Sequence, residues 1–438
     1  MRRPGDSSRQ ILIDRGMLYT STSLSGRRVD LRVEAAHVAE IAPSGTLTPA
    51  PGEAVVHGGL ICPPFAEPHV HLDAVLLGAR VPNRTGTLRE GIANWAAIRG
   101  TLTSEDVRDR ARTVIGWYVQ HGALRIRTHV DTGCPVAVAA LLTLREELRR
   151  EGWVTPGGAV VPVDLQVVAF PQEGILRAPG RREAWEEAVA AGCDAVGAIP
   201  HFERTAEEGW RSVRMAFDLA ERAGCRLDFH CDETDDPSSR NLEVVCAEAI
   251  DRGWATKAGS VVTGHCTALH SYPNPLAAKV CELVATAGVQ VVANPLDNIV
   301  LQGRYDGYPR RRGLTRVDEL WAAGATVGIG HDSVMDPWYR LGTANLLDAA
   351  YMLVHLGHLT AETEMARAFR TLHTENHLPF GDAPTVTIGG PATFLHFAEE
   401  DEIDALRTRR APTVIVSGRV VSGGVVSGGV VSVRAGAC

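Results

Sequence analysis

The sequence predicts an α/β protein built around a closed barrel of eight parallel strands. Short runs rich in Val, Ile and Ala alternate with longer helical patterns, and this alternation occurs eight times over roughly 300 residues. Most of the predicted strands also end at or beside a histidine, which a random scatter of the 16 histidines would not produce. Because functional groups of such barrels lie at the carboxyl ends of the strands, the same pattern predicts an active site there.

Each predicted strand is a short apolar run that ends at a turn signal, and each predicted helix has apolar residues at helical spacing. The strands are Leu60–His71, Arg125–Asp131, Asp164–Phe170, Ala195–Pro200, Arg226–Cys231, Ser260–His265, Val289–Ala293 and Thr326–Asp332. The helices include Val138–Arg150, Arg182–Ala191, Ala206–Ala223 and Leu276–Ala287. Helical connections between successive strands are typical of a parallel sheet.

The two ends of the chain predict a separate β-rich region. The first ~60 residues contain short strand patterns at 10–14, 29–34 and 53–57, divided by Gly, Pro and Ser clusters. The last ~50 residues contain similar patterns at 385–388 and 413–416. A Val-Val-Ser-Gly-Gly repeat then begins at residue 420, and we expect either a hairpin with turns at the Gly pairs or a poorly specified edge strand.

Composition and charge exclude several classes of protein. The 438 residues suffice for one large domain and a smaller one. Hydrophobic residues make up 45% of the chain and charged residues 22%, which is typical of globular proteins. The net charge of −8 argues against binding to nucleic acid polymers or anionic membranes, and no apolar run reaches the roughly 18 residues of a membrane helix. The N-terminus lacks the apolar core of a secretory signal, and nine cysteines without a Cys-x-x-Cys pair indicate reduced thiols in a cytoplasm.

The strand ends supply candidate ligands for a metal ion. His69 and His71 are two residues apart in a predicted strand, so both imidazoles can face one point. A His-x-His pair alone is more typical of two solvated or buried histidines, but His230 and Asp332 end other strands and can complete a ligand set. Nitrogen and oxygen ligands suit Zn²⁺ or Fe²⁺ better than Ca²⁺ or Mg²⁺, and such an ion lowers the pKa of a bound water toward about 7.

Neighbouring residues point to acid and base catalysis. Glu233 follows His230 by three residues, where the loop can fold it over the metal as a proton shuttle. His265 can hydrogen-bond the attacking water or polarise the substrate, and Asp332 can accept the proton of that water.

The other histidines and acidic residues have simpler explanations. His129 and His201 also lie at strand ends and can serve as ligands, but one metal site is complete without them, so we expect supporting or structural roles. Asp73 and Asp232 are more typical of supporting or solvated carboxylates. Five late histidines are predicted to lie on the surface: His355, His358, His373, His377 and His396.

Several long motifs resemble those of the amidohydrolase superfamily and, within it, of the bacterial cytosine deaminases. The motifs are Glu67–Asp73, Gly86–Ile92, Arg127–Asp131, Val168–Ile175, Gly197–Glu203, His230–Glu233, Asn294–Leu296, Leu301–Arg304 and Gly330–Tyr339. The resemblance implies a distorted (β/α)8 TIM barrel over residues 61–381. It also implies a small β-sandwich domain formed by residues 1–60 plus 382–438.

The resemblance implies one divalent metal ion, Fe²⁺ or Zn²⁺, held by His69, His71, His230 and Asp332. Relatives with two metals bridge them through a carboxylated lysine in the fourth strand. The only lysines of this chain are Lys257 and Lys279, which lie outside the predicted fourth strand, so one ion is expected.

The implied reaction is hydrolytic deamination of a free cytosine-type nucleobase to the uracil-type product and ammonia. Glu233 would protonate the ring nitrogen beside the reacting carbon, and Gln172 would read the pyrimidine edge through an amide that both donates and accepts. The backbone near Leu88 would add a hydrogen bond, while Phe170 and Trp338 would pack against the ring. The Pro-Cys-x-x-Cys signature of the cysteine-ligated base deaminases is absent.

One departure from the family pattern concerns the substrate pocket. Cytosine deaminases have two successive aspartates after the histidine of the last strand, whereas Asp332 is followed here by Ser333. Serine is smaller and neutral, so the pocket gains room, and one methyl group is worth roughly 1–3 kcal/mol in a fitted pocket. The sequence therefore predicts tolerance of, or preference for, 5-substituted cytosines such as 5-methylcytosine, or larger bases such as isoguanine.

Two alternatives retain the barrel but change its use. An aminohydrolase of triazines or another cyclic amidine keeps the metal, although the motifs Gln172–Gly174 and His230–Glu233 favour a nucleobase. A catalytically inactive scaffold is disfavoured because all four proposed metal ligands are present. Many barrels of this kind associate, so a homo-oligomer is compatible with the sequence.

Overall fold

The computed structural model describes residues 10–19 and 25–423, which form two large sheets, one short hairpin and the helices around them. The strands are β1 Ile11–Leu18, β2 Arg27–Glu34, β3 His37–Pro43, β4 Ala54–His57, β5 Leu60–Cys62, β6 Phe65–Val70, β7 Ala123–Asp131, β8 Trp153–Val154, β9 Val160–Val161, β10 Asp164–Phe170, β11 Ala195–Ala198, β12 Arg226–Cys231, β13 Val261–His265, β14 Gln290–Ala293, β15 Val327–Ile329, β16 Phe394–Phe397, β17 Thr413–Val416 and β18 Arg419–Ser422. The helices are α1 Leu88–Ile98, α2 Ser104–Gln120, α3 Pro135–Glu151, α4 Arg181–Ala190, α5 Ala206–Ala223, α6 Asn241–Asp251, α7 Asn274–Ala287, α8 Pro295–Leu301, α9 Val317–Ala322, α10 Leu346–Gly357, α11 Glu362–Thr371 and α12 Glu402–Thr408.

One large sheet is a parallel barrel at the centre of the protein. Its strands follow the order β15-β14-β13-β12-β11-β10-β7-β6. The edge strands then meet, because the Asp332 N–H donates to the His69 carbonyl at 2.9 Å and Val70 pairs with Asp332 in an isolated bridge. Closure brings the carboxyl ends of all eight strands to one end of the barrel, which we call the barrel mouth.

All eight predicted barrel strands occur, and the predicted fold class is confirmed. β10, β12 and α5 have the bounds predicted from the sequence. For α5 the reason is local, since Thr205 caps its first turn with a side-chain hydrogen bond and Gly224 ends it in the left-handed conformation. The predicted strand at 60–71 is instead divided into β5 and β6, because Pro63 and Pro64 lack the N–H groups that a ladder requires.

The second large sheet, which we call the terminal sheet, combines both ends of the chain, as predicted. Its order is β18-β17-β16-β5-β1-β2-β3, with β4 beside β1. It encloses a small apolar core of its own, which includes Leu31, Phe394 and Ile415. The sheet curls so that its two ends approach each other. The turn between β17 and β18 packs closely on the turn between β2 and β3. A Cβ atom on Gly418, whose φ is +74°, would lie only 2.0 Å from the Ala35 carbonyl oxygen.

Three features of the terminal sheet differ from the sequence predictions or extend beyond them. Residues 385–388 form no strand, because Pro384 precedes them and two glycines and a proline follow. β5 belongs to this sheet although the predicted domain boundary falls at 60/61, and the domain boundaries stay a prediction. β18 contains the first Val-Val-Ser of the Val-Val-Ser-Gly-Gly repeat and is followed by Gly423, and the repeat from residue 424 onward lies outside the described residues.

The prediction that the late histidines lie on the surface is wrong for two of them. His373 and His377 are buried after α11, in a segment that closes the end of the barrel opposite the mouth. His377 contacts the Pro64 carbonyl through its Nε2 at 2.8 Å, so this ring joins the segment to the start of β6. The other three are exposed or half-buried: His355, His358 and His396.

The cysteines and helices also bear on the class of protein. Within residues 10–19 and 25–423, none of the helices is long and apolar enough to cross a membrane. The eight cysteines of this part of the chain are free thiols, as the spacing predicts. Burial raises the pKa of several of them, for Cys193 to about 12, which keeps these thiols protonated and unreactive.

Candidate active site

Three histidines meet at the barrel mouth. His69 and His71 lie at the end of β6, and His230 lies near the end of β12. The His230 Nε2 is 3.2 Å from the His69 Nε2 and 3.1 Å from the His71 Nε2, and all three side chains are buried. Nitrogen ligands of a tetrahedral zinc ion lie about 3.3 Å apart, given metal–nitrogen distances of about 2.0–2.1 Å. These nitrogens are therefore spaced to hold a metal ion.

The protonation state of the three rings also suits a metal. Burial, assisted by neighbouring imidazoles, lowers the pKa of each ring well below its ordinary value. Neutral imidazole is the form that binds metal. A neutral ring has a single N–H donor, so three Nε2 atoms that face one another cannot all be satisfied by mutual hydrogen bonds. A metal ion held between them would resolve this conflict.

Asp332 approaches the same point from the end of the last barrel strand. Its Oδ1 is 3.5 Å from the His71 Nε2 and 3.8 Å from the His69 Nε2. Its backbone is left-handed, with a φ of 66°, which costs a non-glycine residue roughly 1 kcal/mol. The hydrogen bond from its N–H to His69 holds this conformation. The structure thus brings the four predicted ligands together.

Glu233 and His265 border the four predicted ligands. Glu233 is 5% exposed, and its Oε1 is 3.8 Å from the His265 Nδ1. The His265 Nε2 is 3.8 Å from the Asp332 Oδ2, so the imidazole stands between two carboxyl groups. Burial, and to a smaller extent the charge of Asp297, raises the pKa of Glu233 to about 8. A carboxyl group that stays protonated at neutral pH can donate a proton.

Two aromatic side chains flank the histidines. The Phe170 ring stacks on the His230 ring with a centroid distance of 3.9 Å and an interplanar angle of 18°. The Trp338 ring is 5.9 Å from the His71 ring and packs over Gly91 of α1, where a Cβ atom would lie 2.3 Å from the Trp338 Cδ1. The two predicted ring contacts therefore lie beside different members of the histidine cluster.

Two loops carry the remaining predicted substrate contacts. Leu88 is the first residue of α1, one turn before the glycine that contacts Trp338. Gln172 is buried in the loop after β10. The next residue, Glu173, forms an ion pair with Arg99, which ties this loop to the end of α1. The structure places both segments at the barrel mouth.

Sequence reasoning missed two residues of α8, the helix after the seventh barrel strand. Asp297 is 2% exposed, and its carboxyl group contacts Asp332 and Ser333. Burial raises the pKa of Asp297 to about 6, although the Ser333 contact opposes this rise. Asn298 donates from its Nδ2 to the His265 Nδ1 at 3.1 Å. An Asp-Asn pair just past a barrel strand was the signal available in the sequence.

His129 lies beneath the ligand cluster, beside the buried ion pair of Arg127 and Asp228. Its ring centroid is 4.1 Å from that of His69, and its Nε2 is 3.2 Å from an Asp228 oxygen. The other Asp228 oxygen accepts from Arg127 at 3.0 Å, and these side chains are fully buried. His201 is half-buried, and burial lowers its pKa to about 4. The supporting roles expected of both histidines stay predictions.

The barrel mouth carries a cluster of histidine and aspartate side chains that is able to hold a metal ion. Residues 81–422 match the model of the amidohydrolase family, and the chain belongs to that family. The family predicted from the motifs is therefore confirmed. The protein is an enzyme, a hydrolase that acts on C–N bonds.

Individual proteins resemble this chain over most of its length. The 5-methylcytosine deaminase of Klebsiella pneumoniae, solved with 5-fluorocytosine or with phosphonocytosine, is 36% identical, with a TM-score of 0.85 over 95% of this chain and 98% of that one. The pterin deaminase of Rhizobium rhizogenes is 28% identical over 391 residues, 87% of this chain and 84% of the relative. The N-isopropylammelide isopropylaminohydrolase of Burkholderia multivorans, 24% identical, shares the fold with a TM-score of 0.75 over 94% of this chain and 98% of that one.

Proposed function

We propose that this protein is a metal-dependent deaminase of a free cytosine-type nucleobase, which it hydrolyses to the uracil-type product and ammonia. The observation that carries the proposal is the pair of Nε2 contacts at 3.1 and 3.2 Å beside the buried carboxyl groups of Glu233 and Asp332. The 36% identity with a 5-methylcytosine deaminase over almost the whole chain supports this substrate class. The free thiols support a cytoplasmic location for the activity.

Four residues bind the base in this proposal. Gln172 reads one edge of the ring, because its amide can donate to a carbonyl and accept from a ring N–H. The backbone near Leu88 adds a hydrogen bond, and Phe170 and Trp338 pack against the ring. Phe170 and Gln172 are buried and Leu88 and Trp338 half-buried, and the two aromatic rings lie beside the histidine cluster, which supports these roles because apolar surfaces with few polar groups suit a heterocycle.

Three residues move protons. Glu233, whose pKa is raised by burial, gives a proton to the ring nitrogen beside the amine-bearing carbon. Asp332 and His265 accept the proton of the attacking water, and the amino group leaves as ammonia after a further proton transfer. The 3.8 Å distances that link the three side chains through His265 support a shared proton path.

One divalent ion, Fe²⁺ or Zn²⁺, fits the residues present, with His69, His71, His230 and Asp332 as its ligands. Neutral imidazoles and a carboxylate that converge on one point are the donor set of catalytic zinc and iron sites. When bound, the ion acts as a Lewis acid and lowers the pKa of a water molecule. The absence of lysine from β11 supports one ion rather than two.

The second candidate function is deamination of another cyclic amidine on the same site, such as a pterin, isoguanine or a triazine. The pterin deaminase relative, at 28% identity over 391 residues, favours it. The small side chain of Ser333 is compatible with either a larger ring or a 5-substituted cytosine.

A panel assay tests the proposal. Protein loaded separately with Fe²⁺ or Zn²⁺ is assayed for metal content and for ammonia release from cytosine, 5-methylcytosine, isoguanine, pterin and a triazine. We expect one ion per chain and the highest kcat/KM with a 5-substituted cytosine. Cytosine turnover at least about tenfold better than that of 5-methylcytosine would contradict the preference for a 5-substituent. No bound metal and no ammonia from any of these bases would refute the proposed function.

The role of Ser333 has its own test. Ser333→Asp should lower the ratio of kcat/KM for 5-methylcytosine over cytosine by about tenfold, because the larger acidic side chain fills the space beside the 5-position. Ser333→Ala is the matched control, since it keeps the space and should keep the ratio. An unchanged ratio in Ser333→Asp would remove this residue from specificity.

A further inference from the structure

The proton transfers and base contacts proposed above do not use the carboxyl group of Asp297, although it lies among the residues that do. The side chain contacts the Asp332 carboxyl group and both the hydroxyl and the backbone N–H of Ser333. Its Oδ1 is buried and has no hydrogen-bond partner among the described residues. Burial, and to a smaller extent the charge of the nearby Asp297, raises the pKa of Glu233. Asp297 therefore borders the space between the proton donor and the predicted metal ligand.

The position of Asp297 bears on the missing family carboxylate. The family pattern has a second aspartate at position 333, where this chain has serine. Asp297 supplies a carboxylate against Ser333 from a different element, α8 rather than the end of the last barrel strand. The site therefore still has a hydrogen-bond acceptor beside residue 333, although residue 333 itself is a small serine.

We propose that Asp297 is a specificity-determining residue that accepts a hydrogen bond from the amino group on the reacting carbon, while Ser333 leaves space for a substituent on the adjacent ring carbon. This inference rests on the proposed function. It names the substrate class more closely, as a ring with an amine at the reacting carbon and a substituent beside it.

The chemistry of the amine explains why a carboxylate with one unpartnered oxygen suits this place. An ionised carboxylate only accepts hydrogen bonds, and an exocyclic amine offers two N–H donors. The product has a carbonyl oxygen at the same carbon, which is also an acceptor. Asp297 therefore favours the substrate over the product, and we expect it to assist product release.

The main test compares wild type with Asp297→Asn, both loaded with the same metal. The asparagine is close in shape but can donate to a carbonyl. We expect kcat/KM for 5-methylcytosine to fall by about 10- to 100-fold, because one charged hydrogen bond is lost. The affinity for thymine, the product, should rise about fivefold in calorimetric titration, because the repulsion between acceptors is removed.

A reciprocal exchange provides a second test that does not depend on one variant. Ser333→Asp alone sets two buried like charges in contact and should lower turnover of both cytosine and 5-methylcytosine. The double variant Asp297→Ser, Ser333→Asp moves the carboxylate from α8 to the end of the last barrel strand. We expect it to regain cytosine turnover to within about tenfold of wild type, but not turnover of 5-methylcytosine.

The controls separate the outcomes. Asp30→Asn also removes a buried carboxylate, but in the terminal sheet, and should keep wild-type kcat/KM. Three results for Asp297→Asn would overturn the proposed role. They are a parallel loss of turnover and thymine affinity, a loss of bound metal, and no change in either turnover or thymine affinity. A double variant no better than Ser333→Asp would also overturn it. Wild-type protein that releases ammonia from no base would refute the proposed function itself.

Discussion

Buried carboxyl groups in two regions of the molecule differ in how their charge is satisfied. In the terminal sheet, Asp30 accepts hydrogen bonds at 2.7–3.0 Å from four backbone N–H groups, those of Arg15, Gly45, Thr46 and Leu47. Burial acts to raise the pKa of Asp30, but these bonds outweigh it and the pKa is lowered. At the barrel mouth, burial dominates and raises the pKa of Glu233 to about 8 and that of Asp297 to about 6.

The difference shows what each region is built to do. A carboxylate that accepts several backbone N–H bonds stabilises the charged form and fixes the loop that donates them. Carboxyl groups with few partners cost stability, and such groups with displaced pKa values cluster at functional sites. The terminal sheet therefore uses acidic side chains for structure, whereas the barrel mouth keeps them available for a substrate.

The largest expected effect is the loss of a ligand at the barrel mouth. His230→Ala should lower kcat/KM for the best base by about 1,000-fold or more and abolish bound metal, because both Nε2 contacts of the cluster involve this ring. Kinetics and metal analysis of the purified variant measure both effects. His355→Ala, at an exposed position of α10, is the control and should change neither. A His230→Ala variant that keeps its metal would refute the proposed ligand set.

Glu233→Gln should separate proton transfer from metal binding. We expect kcat/KM to fall by about 100- to 10,000-fold, because the amide cannot donate a carboxylic proton to the ring nitrogen. Metal content should equal that of wild type, since the proposed ligands are untouched. Activity within a few-fold of wild type would exclude Glu233 as the proton donor.

Asp30→Asn should show the opposite pattern from Glu233→Gln. The amide cannot accept all four backbone bonds, so the free energy of unfolding in urea should fall by about 1–3 kcal/mol. Turnover per folded molecule should not change, because the residue lies in the terminal sheet. An unfolding free energy equal to that of wild type would mean that the four hydrogen bonds contribute nothing net.

The last prediction concerns acid stability and His377, a buried histidine at the end of the barrel opposite the mouth. Burial lowers the pKa of His377 to about 4, below its ordinary value of 6.5, so the unfolded state binds the proton first as the pH falls. The contribution of this ring to stability is full above pH 6.5 and is lost between about 6.5 and 4, at up to about 1.4 kcal/mol per pH unit.

His377→Gln should reduce the fall of the unfolding free energy between pH 6.5 and 4. Glutamine can still donate to the Pro64 carbonyl but does not titrate in this range. Urea unfolding at several pH values between 4.5 and 7.5 measures the slope. His355→Gln, at an exposed position, should keep the wild-type slope. Equal slopes in wild type and His377→Gln would contradict a neutral, buried ring.

Particular residues show how far the sequence reaches. The barrel strands were predictable because each combines an apolar run with a polar end, and α5 because it has both a capping threonine and a terminal glycine. His69 and His71 stood out because a spacing of two puts side chains on one face of a strand. His377 was misjudged because nothing in its local sequence reveals that it packs against Pro64, far away along the chain.

The sequence by itself determined the class of fold, the family and the residue types of the site, because periodicity, caps and strand-end motifs are local properties. The tertiary structure decided which side chains share one buried space. Asp297 contacts Ser333 only because neighbouring strands of a closed barrel bring their ends together. Likewise, Asp30 and Glu233 have the same kind of acidic group, and only the N–H donors around each of them set the direction of its pKa.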